Sequence, residues 1–145
     1  MRESGLRASW RWPKMPRMTH RFAVRVYYED TDMGGIVYHA NFLKFIERAR
    51  SEWVAEMGLD QNAMREEGIV FAVRRIEADY MAPARYGEAL EVRTTTASVT
   101  GARLMMDQVV MRGEEVLFVA QVTVACITMA GQPVRLPEVL RKQVH

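Results

Sequence analysis

Cysteine is almost missing from this chain. Cys126 is the only one in 145 residues, so no internal disulfide can form, and this usage fits a reducing, cytoplasmic compartment. No apolar run approaches the roughly 20 residues that a membrane-spanning helix needs. The pattern Gly-x-Ser-x-Gly does not occur, and Cys126 has no histidine near it in sequence, which removes the familiar serine and cysteine hydrolase arrangements. No His, Cys and Asp cluster has the spacing of a metal site, so neither a metal nor another cofactor is expected. Excess charge of one sign is also lacking. The net charge is +2, yet Arg2, Arg7, Arg11, Lys14 and Arg17 against Glu3 make the first 20 residues basic, which leaves 15 basic and 17 acidic side chains for the rest. The folded part is therefore not a platform for nucleic acid.

What remains is ordinary for one globular domain: 49% hydrophobic and 26% charged residues, in a length that buries most of its apolar surface in a single core. Residues 1–19 read as a basic, disordered leader, or as sequence upstream of a start at Met15 or Met18, and they lack the continuous apolar segment of a secretory signal. Trp10 and Trp12 among the arginines could touch an anionic membrane surface, which is the lesser reading. Residues 20–145 read as the domain.

Apolar residues alternate at Phe22, Val24, Val26 and Tyr28, the period of a half-buried strand over Arg21–Tyr28. From Asn41 to Met57 the spacing turns helical. Phe42, Phe45, Ile46, Ala49, Trp53 and Met57 fall on one stripe, Lys44, Glu47, Arg48, Glu52 and Glu56 cover the other faces, and Gly58 supplies the left-handed stop. Leu59–Glu67 reads as a loop or a short second helix. Beyond Gly68 the chain reads as strand: Ile69–Tyr80, Leu90–Val99, Arg103–Met111, a turn at Arg112-Gly113-Glu114, and Val116–Met129, with one closing helical turn in Pro137–Gln143. The order β-α-β-β-β-β argues for an α+β fold in which an antiparallel sheet curves around one long helix.

Chemistry concentrates in residues 28–42. Asp30 and Asp32 precede Gly34-Gly35, a turn that lets backbone approach a ligand closely, and the long helix then points its free N–H groups back at the loop. A helix start favours negative charge, including charge that develops during a reaction. One carboxylate beside one such site is a minimal hydrolase. An isolated loop aspartate is more often a turn or cap residue, a lone histidine more often a structural hydrogen-bonder, and Tyr28 reads almost equally as a core aromatic. Asn41 is expected as the helix N-cap, and Glu29 and Asp30 as solvated loop acids.

Tyr28-x-x-x-Asp32-x-x-Gly-Gly-Ile-Val-Tyr-His-Ala-Asn-Phe42, followed by Phe45-Ile46-Glu47-Arg48-Ala49-Arg50, resembles the hotdog-fold acyl-CoA thioesterases. The nearest branch is the YbgC type associated with the Tol-Pal system, related to 4-hydroxybenzoyl-CoA thioesterase. Phe71-Ala72-Val73-Arg74-Arg75 leading into Tyr80-Met81-Ala82-Pro83-Ala84-Arg85 carries the likeness further, and it runs from about Arg21 to about Leu136. The resemblance implies a five-stranded hotdog sheet and hydrolysis of an acyl-CoA to a carboxylic acid and CoA. Asp32 would be nucleophile or general base, the His39 N–H the oxyanion donor, and Tyr28 an orienting hydroxyl. Arg103, and secondarily Arg74 and Arg75, would meet the CoA phosphates. Ile69, Phe71 and Val73 are expected to line the acyl pocket or to pack on the helix, and the methionines are mostly core filler, although Met105-Met106 could adapt to an acyl chain.

The resemblance also implies a homodimer built by sheet-edge pairing, assembled further into a homotetramer, with the active site between subunits. Edge pairing of that kind would keep the long apolar strand Val116–Met129 from being an exposed edge. Cys126 and His20 read as structural. Two rivals stand beside hydrolysis: a hydratase or dehydratase on the same fold, and a non-catalytic partner of acyl-carrier protein or of an envelope complex.

Overall fold

The helical spacing after residue 41 yields one long helix, and the alternating second half yields the sheet on which it lies. The computed structural model describes residues 19–143, so the expected disordered leader, apart from its last residue, lies outside the described residues. The elements are β1 (His20–Arg25), a 3-10 turn (Tyr28–Asp30), α1 (Asn41–Glu56), α2 (Gln61–Glu66), β2 (Ile69–Tyr80), β3 (Ala89–Val99), β4 (Arg103–Arg112), β5 (Glu115–Thr128) and α3 (Glu138–Arg141). The sheet runs β1-β3-β4-β5-β2 with every neighbouring pair antiparallel, which is the α+β arrangement expected. No helix among the described residues is long and apolar enough to cross a membrane.

Phe42, Phe45, Ile46, Ala49 and Trp53 of α1 are buried in one cluster with Val92 of β3, Leu104 and Met106 of β4, and Phe118, Val122 and Val124 of β5. Each large side chain contributes about 1.5–3 kcal/mol on burial, far more than differences in helix propensity. The apolar stripe therefore decides which face of α1 meets the sheet. One polar side chain sits inside that contact. Gln108 of β4 is fully buried; its amide nitrogen donates to Ile46 O (3.0 Å) and Thr94 Oγ1 (2.9 Å), and its Oε1 accepts from Arg50 Nη1 (3.0 Å). Gly58, at φ +90°, ends the helix just past Met57, and Asp60 caps α2 by accepting from the Asn62 and Ala63 amides.

Two expectations change, and a third feature was not anticipated. The first strand stops at Arg25, and the chain turns at Tyr27, so Tyr28 enters a 3-10 turn and is 80% exposed instead of facing the core. Val116–Met129 is no edge: β5 lies between β4 and β2, paired on both sides, which is why it can be apolar on both faces. The edges are β1 and β2. Finally, β2 carries a register shift between Val73 and Arg75: Val73 pairs with Val124 beneath α1, whereas Arg75 pairs with Thr123 on the far face.

Candidate active site

Residues 31–37 form a small hairpin. Thr31 pairs with Val37, the Asp32 N–H donates to Ile36 O (2.9 Å), and the Gly35 N–H donates to Asp32 O (2.9 Å). Gly35 takes the left-handed conformation (φ +80°) that this closure requires, which a side chain would oppose. Gly34 serves differently. Its N–H donates to Asp32 Oδ1 (2.8 Å), and a Cβ added there would lie 3.2 Å from that oxygen. The Asp32 side chain is exposed, and its Oδ2 receives no hydrogen bond among the described residues.

The hairpin is pinned from below. Asp30, expected in solvent, is only 4% exposed; its Oδ2 accepts from the Tyr27 N–H (2.8 Å) and its Oδ1 from Asn41 Nδ2 (2.9 Å). Its carbonyl accepts from the Tyr38 N–H (2.8 Å), while the Val37 N–H reaches Ala84 O (2.8 Å). Asn41 is therefore not the N-cap. Ala40 holds that position, in helical conformation and without a side-chain cap, because Asn41 spends its amide on the buried carboxylate.

The helix start also departs from expectation. The N–H groups of Asn41, Phe42 and Leu43 are already committed to the carbonyls of Tyr38 (2.8 Å), His39 (3.3 Å) and Ala40 (3.1 Å). The amides that find no acceptor among the described residues come just before the helix, at His39 and Ala40. The His39 ring is exposed, 4.7 Å from the Tyr38 ring and edge-on to Tyr80 at 6.1 Å. Among the described residues no hydrogen bond joins Asp32 to His39 or to Tyr28, whose ring instead meets Tyr86 edge-on at 6.4 Å.

Arg74, Arg75 and Arg103 are brought together. With Ser98, Thr100, Met105 and Thr123 they line one cleft of about 500 Å³. The register explains the convergence: Arg75, Thr123, Met105 and Ser98 are successive partners across β2, β5, β4 and β3, on the face away from α1. Arg75 is paired with Glu77 (3.2 Å), whereas Arg74 and Arg103 have no ion pair among the described residues.

Residues 26–144 match the thioesterase-like superfamily. The chain belongs to that family. An acyl-CoA thioesterase YbgC from Haemophilus influenzae is 40% identical over 126 residues, covering 86% of this chain and 93% of that one. The acyl-CoA thioester hydrolase YbgC of Escherichia coli is 41% identical over 120 residues, 81% of this chain and 90% of that one. A probable thioesterase from Bartonella henselae superposes with a TM-score of 0.79 at 39% identity, over 82% of this chain and 99% of that one. The sheet and its long helix are thus those of a YbgC-type hotdog thioesterase.

Two further features of the thioesterase lie apart from the hairpin. A cavity of about 170 Å³ between α1 and the sheet is lined by Arg50, Phe71, Val73, Leu104, Met106 and Val124 among others, and neither it nor the arginine cleft is lined by Asp32 or His39. Phe71 and Val73 line this cavity, while Ile69 packs at the core margin. Met105 and Met106 part company, one in the arginine cleft and one in the core, because successive strand residues face opposite sides. At the far end of α1, His20 Nε2 lies 2.9 Å from Glu52 Oε1 and 3.6 Å from Glu56 Oε1. That cluster is invisible to sequence spacing because its members come from β1 and α1. Among the described residues His20 Nδ1 is buried without a partner, so the imidazole lacks the second hydrogen bond that usually orients a metal ligand, and it reads as a tie between strand and helix. Burial pushes the Cys126 thiol up, away from thiolate reactivity.

The structural roles of three residues around the hairpin escaped the sequence reading: Asp30, Asn41 and Tyr80. Asp30 had one signal, since it closes a turn with Tyr27 three residues earlier, and Tyr80 another, as the last inward position of an alternating strand.

Proposed function

We propose that the thioesterase hydrolyses acyl-CoA to a carboxylic acid and free CoA, with Asp32 as the reacting carboxylate. Asp32 either attacks the thioester carbonyl or takes a proton from the water that does. In the first route a carboxylate oxygen bonds to the carbonyl carbon, the resulting oxyanion collapses, and the C–S bond breaks to release CoA. Water then cleaves the mixed anhydride and restores Asp32. In the second, water adds directly and the same C–S bond breaks. Both routes place negative charge on the former carbonyl oxygen, and the His39 N–H is its donor; one such donor is worth about 10²–10³ in turnover. Carboxylate and amide together supply the chemistry, so no metal or other cofactor is required.

One observation carries the reading: an exposed carboxylate on the hairpin and an uncommitted amide two residues beyond it lie on either side of a buried Asp30–Asn41 hydrogen bond that ties the hairpin to the helix. Arg103 and Arg74, with Arg75, then take the CoA phosphates. The five steps from Arg75 to Tyr80 span about 17 Å of strand, a separation that suits the pantetheine arm between nucleotide and thioester. The protomers pair through β2, whose free edge carries exposed Val73 and Ile76, and a partner closes over the hairpin. This gives a cytoplasmic homodimer, doubled to a tetramer, with acyl-carrier protein or the Tol-Pal envelope complex as candidate partners. Tyr28, facing Tyr86, is left with a role at the substrate entrance instead of at Asp32.

Release of free CoA is measured across short, long and aromatic acyl-CoAs. Asp32→Asn and Asp32→Ala should lower kcat by roughly 10²–10⁴ while the fold persists. Unchanged turnover in Asp32→Ala, or water addition to enoyl-CoA without CoA release, would overturn the reading.

A further inference from the structure

We infer that Tyr80 is a positioning residue for turnover: its hydroxyl fixes the His39–Ala40 peptide so that two adjacent amides, His39 and Ala40, share one oxyanion, a role that rests on the proposed reading of that site. The Tyr80 hydroxyl donates to His39 O at 2.9 Å, closer than the Phe42 N–H that the same carbonyl accepts at 3.3 Å. The preceding carbonyl, Tyr38 O, is held by the Asn41 N–H at 2.8 Å. Both peptides thus have their oxygen ends secured, and their N–H ends, at His39 and Ala40, meet no acceptor among the described residues. A carbonyl that accepts a hydrogen bond polarises its own peptide, so the Tyr80 hydroxyl also strengthens the Ala40 N–H as a donor.

Tyr80 is suited to this because it is not a loose surface ring. It ends β2 opposite Phe118, and its ring meets Phe118 at 4.9 Å and Phe42 at 5.8 Å, both edge-to-face. Phe42 stacks on Phe118 at 5.0 Å. The three rings join the first turn of α1 to the end of β2, and the hydroxyl extends that junction by one bond to the turn before the helix. Burial pushes the phenol up, so it remains a donor throughout a neutral assay.

Tyr80→Phe keeps the rings and removes only the donor. The variant should lose roughly five- to tenfold in kcat, with KM and Tm close to those of the parent and a shifted backbone amide resonance for Ala40. Incorporation of 3-fluorotyrosine at position 80, which keeps both shape and donor, should restore kcat. Asp32→Asn is assayed in parallel. Unchanged kcat in Tyr80→Phe, or a loss confined to KM or matched by a fall in Tm, overturns the role of Tyr80 while leaving Asp32 standing. Full activity in Asp32→Asn overturns the site reading and the role of Tyr80 with it.

Discussion

Asn41→Ala should loosen the hairpin without touching any reacting group. Asp30 is a buried carboxylate with two side-chain hydrogen bonds, from Asn41 Nδ2 at 2.9 Å and the Tyr27 N–H at 2.8 Å. A hydrogen bond to a charged group contributes about 1.5–3 kcal/mol, and Asn41 offers little apolar surface, so the loss should be about 2 kcal/mol. Asp30→Ala strands two donors, the Asn41 amide and the Tyr27 N–H, where Asn41→Ala leaves one acceptor oxygen unpaired, and it should cost about 3–4 kcal/mol. The double variant no longer contains the stranded Asn41 amide and should be little worse than Asp30→Ala, a coupling of about 1–2 kcal/mol. Denaturant titration followed by circular dichroism, at one protein concentration for all four proteins, measures the cycle. At a temperature where Asn41→Ala is fully folded, kcat should fall more than KM rises, since Asp32 and His39 hang on the same pin. Additive single losses, or single losses under about 0.5 kcal/mol, would refute the reasoning.

The neighbouring glycines should separate. Gly35→Ala forces a left-handed alanine and should cost about 1–2 kcal/mol in unfolding free energy, whereas Gly34→Ala crowds Asp32 Oδ1 and should cut kcat several-fold with little change in Tm. Asp107→Asn should stabilise the protein. Burial pushes the Asp107 carboxyl up and the Gln121 bond only partly offsets it, so its stabilising contribution is present below the ordinary carboxylate range and is lost as pH rises through the folded value. The variant should therefore gain stability near neutral pH and little in acid, as read by thermal melts across pH. Arg103→Ala should raise KM for acyl-CoA by about three- to tenfold with kcat unchanged, and added salt should shrink the difference.

Element types were legible in the sequence because they are local. The α1 stripe is five buried residues at helical spacing, and the strands after Gly68 begin and end within a residue or two of the expected bounds. Strand order was not legible, since pairing β5 with both β4 and β2 depends on contacts far apart in sequence. The site was legible in part. Asp32 and His39 stand in a dense motif, but Asp30 looks as polar as Glu29, and only the Tyr27 amide and Asn41 make its burial tolerable. Arg74-Arg75 and Arg103 looked like separate surface charges. Two consecutive arginines in an alternating strand were the trace of a bulge, and the bulge turns Arg75 toward the row that ends at Ser98.

Gln108 acts at a distance from the hairpin. By gripping Ile46 O, Thr94 and Arg50 at once, it admits a single rotational and axial setting of α1 on the sheet. Sliding the helix by one turn would leave a dry amide with nothing to bind. The apolar stripe alone would tolerate such slippage far better. The middle of the sheet thus works as an index pin: aligning α1 there delivers its leading end, and the amides beside it, to the same coordinates in every folded copy.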